Sequence, residues 1–133
     1  MLKSYLIGLF IILGIVLAAG CASAPQVPGI LSGHVDIGPL VPVSRVGVPD
    51  PTPSPEMYAA WKIVVLSEDG KRELARVDIG PTGDYQVQLS AGTYVVTAKP
   101  VSGSGLGAQQ VQTVNIIQDL TTRLDISIDT GIR

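Results

Sequence analysis

Apolar residues in this chain fall into two patterns. Tyr5 to Ala19 is a continuous uncharged stretch. From about residue 30 onward, apolar residues recur at every second position in short runs. In Ile30–Ile37, Leu31, Gly33, Val35 and Ile37 share one face. Tyr58–Leu66 carries Ile63, Val64 and Val65 in its middle. Ala75, Val77 and Ile79 share a face of Glu73–Ile79. Tyr85, Val87 and Leu89 alternate with Gln86 and Gln88, and Tyr94, Val96 and Ala98 share a face of Thr93–Lys99. Gln110–Ile117 follows, and in Arg123–Asp129 Leu124, Ile126 and Ile128 alternate with Asp125, Ser127 and Asp129. A period of two marks strands with one buried face. Beyond the N-terminal stretch no window shows helical periodicity. Seven short strands with frequent turn signals predict an all-β fold, a Greek-key-type β-sandwich.

The punctuation agrees with this reading. Ser67-Glu68-Asp69-Gly70 predicts a hairpin turn with Gly70 at positive φ. Gly80–Asp84 and Ser90-Ala91-Gly92 predict further turns, and the Gly/Ser-rich Val101–Gly107 a flexible loop. Gly38 to Met57 holds six prolines in 20 residues, with Pro49, Pro51, Pro53 and Pro55 at every second position. Proline has no N–H to give a central ladder, so this is a long loop or a polyproline stretch along an edge. A loop this long within a compact domain is more often functional than a short one.

The N-terminal stretch changes the picture from fold to location. Lys3 and the amino terminus precede 15 uncharged residues, the n-region and h-region of an export signal. The stretch is shorter than the roughly 20 residues a membrane-spanning helix needs. Ordinary cleavage after Ala22-Ser23-Ala24 is opposed by Pro25. Leu17-Ala18-Ala19-Gly20-Cys21 resembles a bacterial lipobox, with leucine four residues before the cysteine where lipoboxes favour three. The resemblance implies cleavage before Cys21, a thioether-linked diacylglycerol on it, and acylation of the new amino terminus by a chain such as palmitate. Two or more chains anchor stably. The alternative is a free thiol in a simply secreted protein. The expected organisation is therefore a signal helix at 1–20, a lipidated cysteine and tether at 21–29, and a sandwich at 30–133. The tether, Ala22 to Gly29, reaches at most about 28 Å.

Charge and cysteine count narrow the function. Nine Lys/Arg against 11 Asp/Glu give a net charge of −2, and losing Lys3 with the signal makes the remainder more acidic. The basic residues are scattered, which disfavours nucleic-acid binding. With one cysteine no intrachain disulfide forms. About 110 residues make one domain with a sizeable core.

The run Gly80-Pro-Thr-Gly-Asp-Tyr-Gln-Val-Gln-Leu-Ser-Ala-Gly-Thr-Tyr-Val-Val96 resembles the signature of carboxypeptidase regulatory-like domains, through Gly83, Tyr85, Val87, Leu89, Gly92 and Tyr94. These are transthyretin-like, or prealbumin-like, sandwiches. The resemblance implies that fold over nearly all of residues 30–133, although its specific motif covers only Gly83–Tyr94. It brings no catalytic residue. The residues themselves place Gly83 and Gly92 at turns and give Tyr94 a hydroxyl that caps loop backbone, like a tyrosine corner. Transthyretin-like hydroxyisourate hydrolases use several histidines and a Tyr-Arg-Gly-Ser tail, which this chain lacks.

Candidate chemistry is sparse. His34, the one histidine, is expected to be an exposed strand residue opposite Val35. Lys62 and Asn115 form a conceivable pilin-like crosslinking pair, with chance placement the stronger account. Glu68, Asp69 and Asp84 sit on separate turns, too dispersed for calcium. Tyr58 and Trp61, beside the Pro-rich loop, are candidates for a partner-binding surface, against the simpler reading that Trp61 is core. No catalytic residue, metal or cofactor is expected. The resulting expectation is a non-enzymatic structural or protein-interaction module of the cell envelope. It is held on the cell membrane or outer membrane by lipid on Cys21, facing away from the cytoplasm. A glycan- or peptide-binding module using the 38–57 loop is the alternative.

Overall fold

The computed structural model describes residues 24–103 and 108–133. The signal segment, Cys21 and part of the Gly/Ser-rich segment lie outside the described residues. The elements are β1 (Gly29–Gly38), α1 (Pro55–Ala59), β2 (Trp61–Leu66), β3 (Glu73–Asp78), β4 (Asp84–Leu89), β5 (Gly92–Pro100), β6 (Ala108–Gln109), β7 (Val111–Ile116), β8 (Thr121–Arg123) and β9 (Ile126–Asp129). They form the predicted two-sheet β-sandwich. One sheet runs β4-β1-β9-β6 with β8 also paired to β1, and the other runs β3-β2-β5-β7.

The alternating apolar faces meet between the sheets. Leu31, Val35 and Ile37 of β1, with Ile126 and Ile128 of β9, face Ile63 and Val65 of β2, Val96 and Ala98 of β5, and Ile116 of β7. All are buried. β2 is paired on both sides, which accounts for its run of consecutive branched residues.

β1 organises the first sheet. It pairs antiparallel with β4 along one edge. Along the other it pairs in parallel with β8 through Ile30–Ser32 and with β9 through Val35–Gly38. The gap between β8 and β9 is Leu124-Asp125, opposite Gly33. There the Leu124 N–H donates to the Ser32 carbonyl at 2.9 Å, and the Tyr85 hydroxyl donates to the Leu124 carbonyl at 2.5 Å. A Cβ on Gly33 would overlap that same carbonyl oxygen. The close approach requires glycine.

Three local differences from the sequence reading have physical causes. Tyr58 is helical, not the start of a strand. Ser54 caps α1, its hydroxyl accepting from the Met57 N–H at 3.4 Å, and Pro55 stands in the first turn. The closing strand expected over Arg123–Asp129 is divided at Leu124-Asp125 by the Gly33 contact. The short β6, which takes its place by pairing with β9, falls between the expected loop Val101–Gly107 and the expected strand Gln110–Ile117. Gly70 has φ +72°, and β2 and β3 form the expected hairpin.

The register separates Lys62 from Asn115. Lys62 lies opposite Lys99 of β5, whereas Asn115 lies opposite Thr93. Six residues of strand, about 20 Å, divide them along β5. Lys62 is instead paired with Asp78. The crosslink is ruled out by this geometry.

Ile63→Ala removes a fully buried branched side chain and is expected to lower unfolding stability by about 2–5 kcal/mol. Val46→Ala, on the exposed loop, should change it by less than about 0.5 kcal/mol. Chemical denaturation of the two variants checks both values.

Candidate functional site

The polar groups that converge most closely surround His34. His34 of β1 and Asp84 of β4 are register partners, so their side chains rise on the same side of the sheet. Nδ1 of His34 lies 3.0 Å from Oδ1 of Asp84. An ionised carboxylate only accepts, so the ring presents its Nδ1–H there. Asp36, two residues along β1 on the same face, places Oδ1 3.7 Å from Nε2. The Thr82 hydroxyl donates to the second oxygen of Asp84 at 2.9 Å. Behind the ring, the His34 backbone N–H donates to Asp125 at 2.8 Å, and Arg123 Nε donates to the other Asp125 oxygen at 3.1 Å. Gly83 makes the cluster compact. Its φ is +93°, and a Cβ there would stand 2.7 Å from His34 Cε1 and 2.9 Å from the Tyr58 ring.

A cleft of about 410 Å³ opens over this cluster, lined by His34, Asp36, Thr52, Pro53, Tyr58, Pro81 and Thr82. It draws on β1, the β3–β4 turn, α1 and the last part of the Pro-rich loop. Hydrogen bonds from His34 and Thr82, in that order of weight, hold Asp84 below the usual carboxylate range. Asp125 is likewise held low, first by the His34 N–H and then by Arg123. Burial, then the Asp36 and Asp84 charges, raise the Tyr58 phenol above its ordinary value. Burial, then Asp125, push Tyr85 higher still. Both imidazole nitrogens therefore face carboxylates, and the nearest phenol resists ionisation. This arrangement ties the strands together and offers donors, acceptors and proline faces to a ligand. Among the described residues no three His, Cys, Asp or Glu side chains are grouped to hold a metal ion.

Of the candidate residues Cys21, Tyr58 and Trp61, Tyr58 borders this cleft. Cys21 lies outside the described residues. Tyr58 and Trp61 are 5% and 8% exposed and belong to the core. They do not form an exposed aromatic platform, because α1 turns Tyr58 inward and Trp61 begins a buried strand. Tyr58 still borders the cleft. His34 is a third exposed but fixed by its partners. The signals that could have located the cluster were His34-x-Asp36 on one strand face and Asp84 at the head of the adjacent strand. The Pro-rich loop also forms a second cleft of about 420 Å³ between Val41 and Pro51, with Val43, Val46 and Val48 exposed.

The signature around Tyr94 has a structural role. β4 and β5 lie in opposite sheets, so Ser90-Ala91 is a crossover between sheets. The Tyr94 hydroxyl donates to the Ser90 carbonyl across it at 2.7 Å, as expected of a tyrosine corner.

No protein-family model and no curated protein matches the chain. Among solved structures, the chain is similar to GBS52, the minor pilin of Streptococcus agalactiae, with TM-score 0.51 and 13% identity over 78% of this chain and 45% of the pilin. It also overlaps the Bacillus anthracis TIE protein (TM-score 0.49, 14% identity, 77% of this chain and 16% of that one). A further overlap is with a DUF3823 family protein from Parabacteroides merdae ATCC 43184 (TM-score 0.46, 15% identity, 77% and 46%). The chain spans less than half the length of each of these structures. At such identity the likeness to the pilin concerns the β-sandwich fold.

Carboxylates with depressed folded pKa values stabilise the fold above their ordinary pKa and lose that contribution as pH falls through the folded value. Asp84 and Asp125 should therefore add stability at neutral pH that declines below about pH 4. Asp84→Asn is expected to lower the melting temperature at pH 7 and flatten its fall in acid. Thermal melts of wild type and variant across that range measure both effects.

Proposed function

We propose that this chain is a lipid-anchored, extracytoplasmic β-sandwich that serves the cell envelope as a non-catalytic structural or protein-interaction module. The observation that carries the reading is Leu17–Cys21 at the end of the uncharged stretch that begins at Tyr5. Anchoring comes from the lipid on Cys21, in the cell membrane or outer membrane, since scattered charges give no basic patch for an anionic surface or nucleic acid. Among the described residues no helix is long and apolar enough to cross a membrane. The Tyr94 hydroxyl on the Ser90 carbonyl supports assignment of residues 30–133 to the carboxypeptidase regulatory-like type. The non-catalytic part of the reading follows from the regulatory-like resemblance, which brings no catalytic residue. The partner is an envelope protein.

A second reading, a glycan- or peptide-binding module, draws on the cleft where Thr52 and Pro53 of the long loop approach His34 and Asp36. Being the one histidine, His34 gives a single set of imidazole resonances. Saccharides or proline-containing peptides that enter the cleft are expected to shift them. Unshifted resonances across a panel of such ligands would exclude this role.

Cells supplied with radioactive fatty acid are expected to label the wild-type protein, with loss of label in Cys21→Ser. An unlabelled protein, or label surviving the substitution, would remove the anchoring role.

A further inference from the structure

We propose that the β7–β8 corner of the sandwich, formed by Ile117 and Leu120 together with Val27 of the tether, is a lipid-contacting surface. This rests on the reading of Cys21 as the anchor. The three side chains are 51%, 54% and 47% exposed, and backbone bonds make their two segments one body. The Asp119 N–H donates to the Pro28 carbonyl at 3.3 Å, and the Ile30 N–H to the Leu120 carbonyl at 2.9 Å. The Leu120 N–H donates to the Ile117 carbonyl at 3.3 Å, closing the turn. The apolar turn is thus bonded to the chain segment that leads back to Cys21. Six residues lie between Cys21 and Pro28, and the seven steps span at most about 25 Å of chain.

Charge distribution separates this corner from the rest of the molecule. Gly29 lies opposite Leu89 and Gly92 opposite Ile116, so the β4–β5 crossover reaches the same end. No residue from Tyr85 to Ala98 is charged, and within Val27–Leu31 and Ile116–Thr122 only Asp119 is. The charged β2–β3 hairpin, with Glu68, Asp69, Lys71 and Arg72, stands at this end too, but on the opposite edge of the second sheet. The contact is therefore a corner, with the hairpin tilted toward water. Half-exposed aliphatic side chains with one acidic neighbour suit the interface of a neutral bilayer and need no basic residue. The valines of the Pro-rich loop are the competing surface. They follow β1 at its far end, about 30 Å from the tether.

The test uses full-length protein purified with its lipid and reconstituted into phosphatidylcholine vesicles. Leu120→Cys and Val46→Cys carry an environment-sensitive maleimide dye, to which a thioether-blocked Cys21 does not react. The label at position 120 is expected to shift to the blue and to be quenched severalfold more by brominated acyl chains than the label at 46. Raised salt should leave that difference unchanged, because the contact is apolar. Ile117→Cys provides a second site, with the same expected result, if L120C folds poorly. Vesicle-bound protein whose label at 120 and 117 is no better quenched than at 46 would overturn the surface and leave the anchor standing. Wild-type protein that takes up dye and does not float with vesicles would remove the anchor, and this contact with it.

Discussion

The sandwich depends on how closely the chain can pass Gly33. β1 is flanked on both sides, and on one side its neighbour changes from β8 to β9 at Leu124-Asp125. The change is possible because Gly33 has no side chain. It lets the Leu124 carbonyl sit against the strand, where the Tyr85 hydroxyl satisfies it. One residue further along, the His34 N–H takes the Asp125 carboxylate as its partner in place of a strand carbonyl. A buried carbonyl or amide without such a partner would be costly. Both Leu124 backbone groups and the His34 N–H are thus hydrogen bonded at the break, and the same bonds fix His34 where it meets Asp84.

The fold was legible where burial is one-sided. Tyr85, Val87 and Leu89 alternate because β4 has one core face, and Gly70 marks the β2–β3 hairpin through a requirement of backbone conformation alone. Ile63-Val64-Val65 could be placed in a central strand but not assigned a face, since all three are buried. The helix over Pro55–Ala59 was missed because five residues show no period. Its signal was local, in Ser54 and Pro55. The division of the last strand could not be read from Arg123–Asp129, whose alternation is unbroken. Its cause lies about 90 residues earlier, at Gly33.

The cleft was less legible than the fold for a related reason. His34, Asp36 and Asp84 become neighbours through strand register, which pairs β1 with β4. Taken separately, His34 looks like a surface residue and Asp84 like a turn residue. Tyr58 and Trp61 are mostly buried because large aromatics in a small domain are needed in its core, although Tyr58 also borders the cleft. The crossover motif was readable because Tyr94, Ser90 and the intervening glycine act within a few residues of one another.

The chain enters β1 from the tether at Gly29 and leaves it at Gly38 for the Pro-rich loop, so both segments attach to the ends of one strand. A pull applied between those segments runs along β1 itself. Its bonds to β4 on one side and to β8 and β9 on the other lie across that line. The covalent backbone of β1 carries that pull, so these bonds bear little of it and are not opened one after another as at the end of a hairpin. Tension between tether and loop can in this sense pass through a single strand without separating the two sheets.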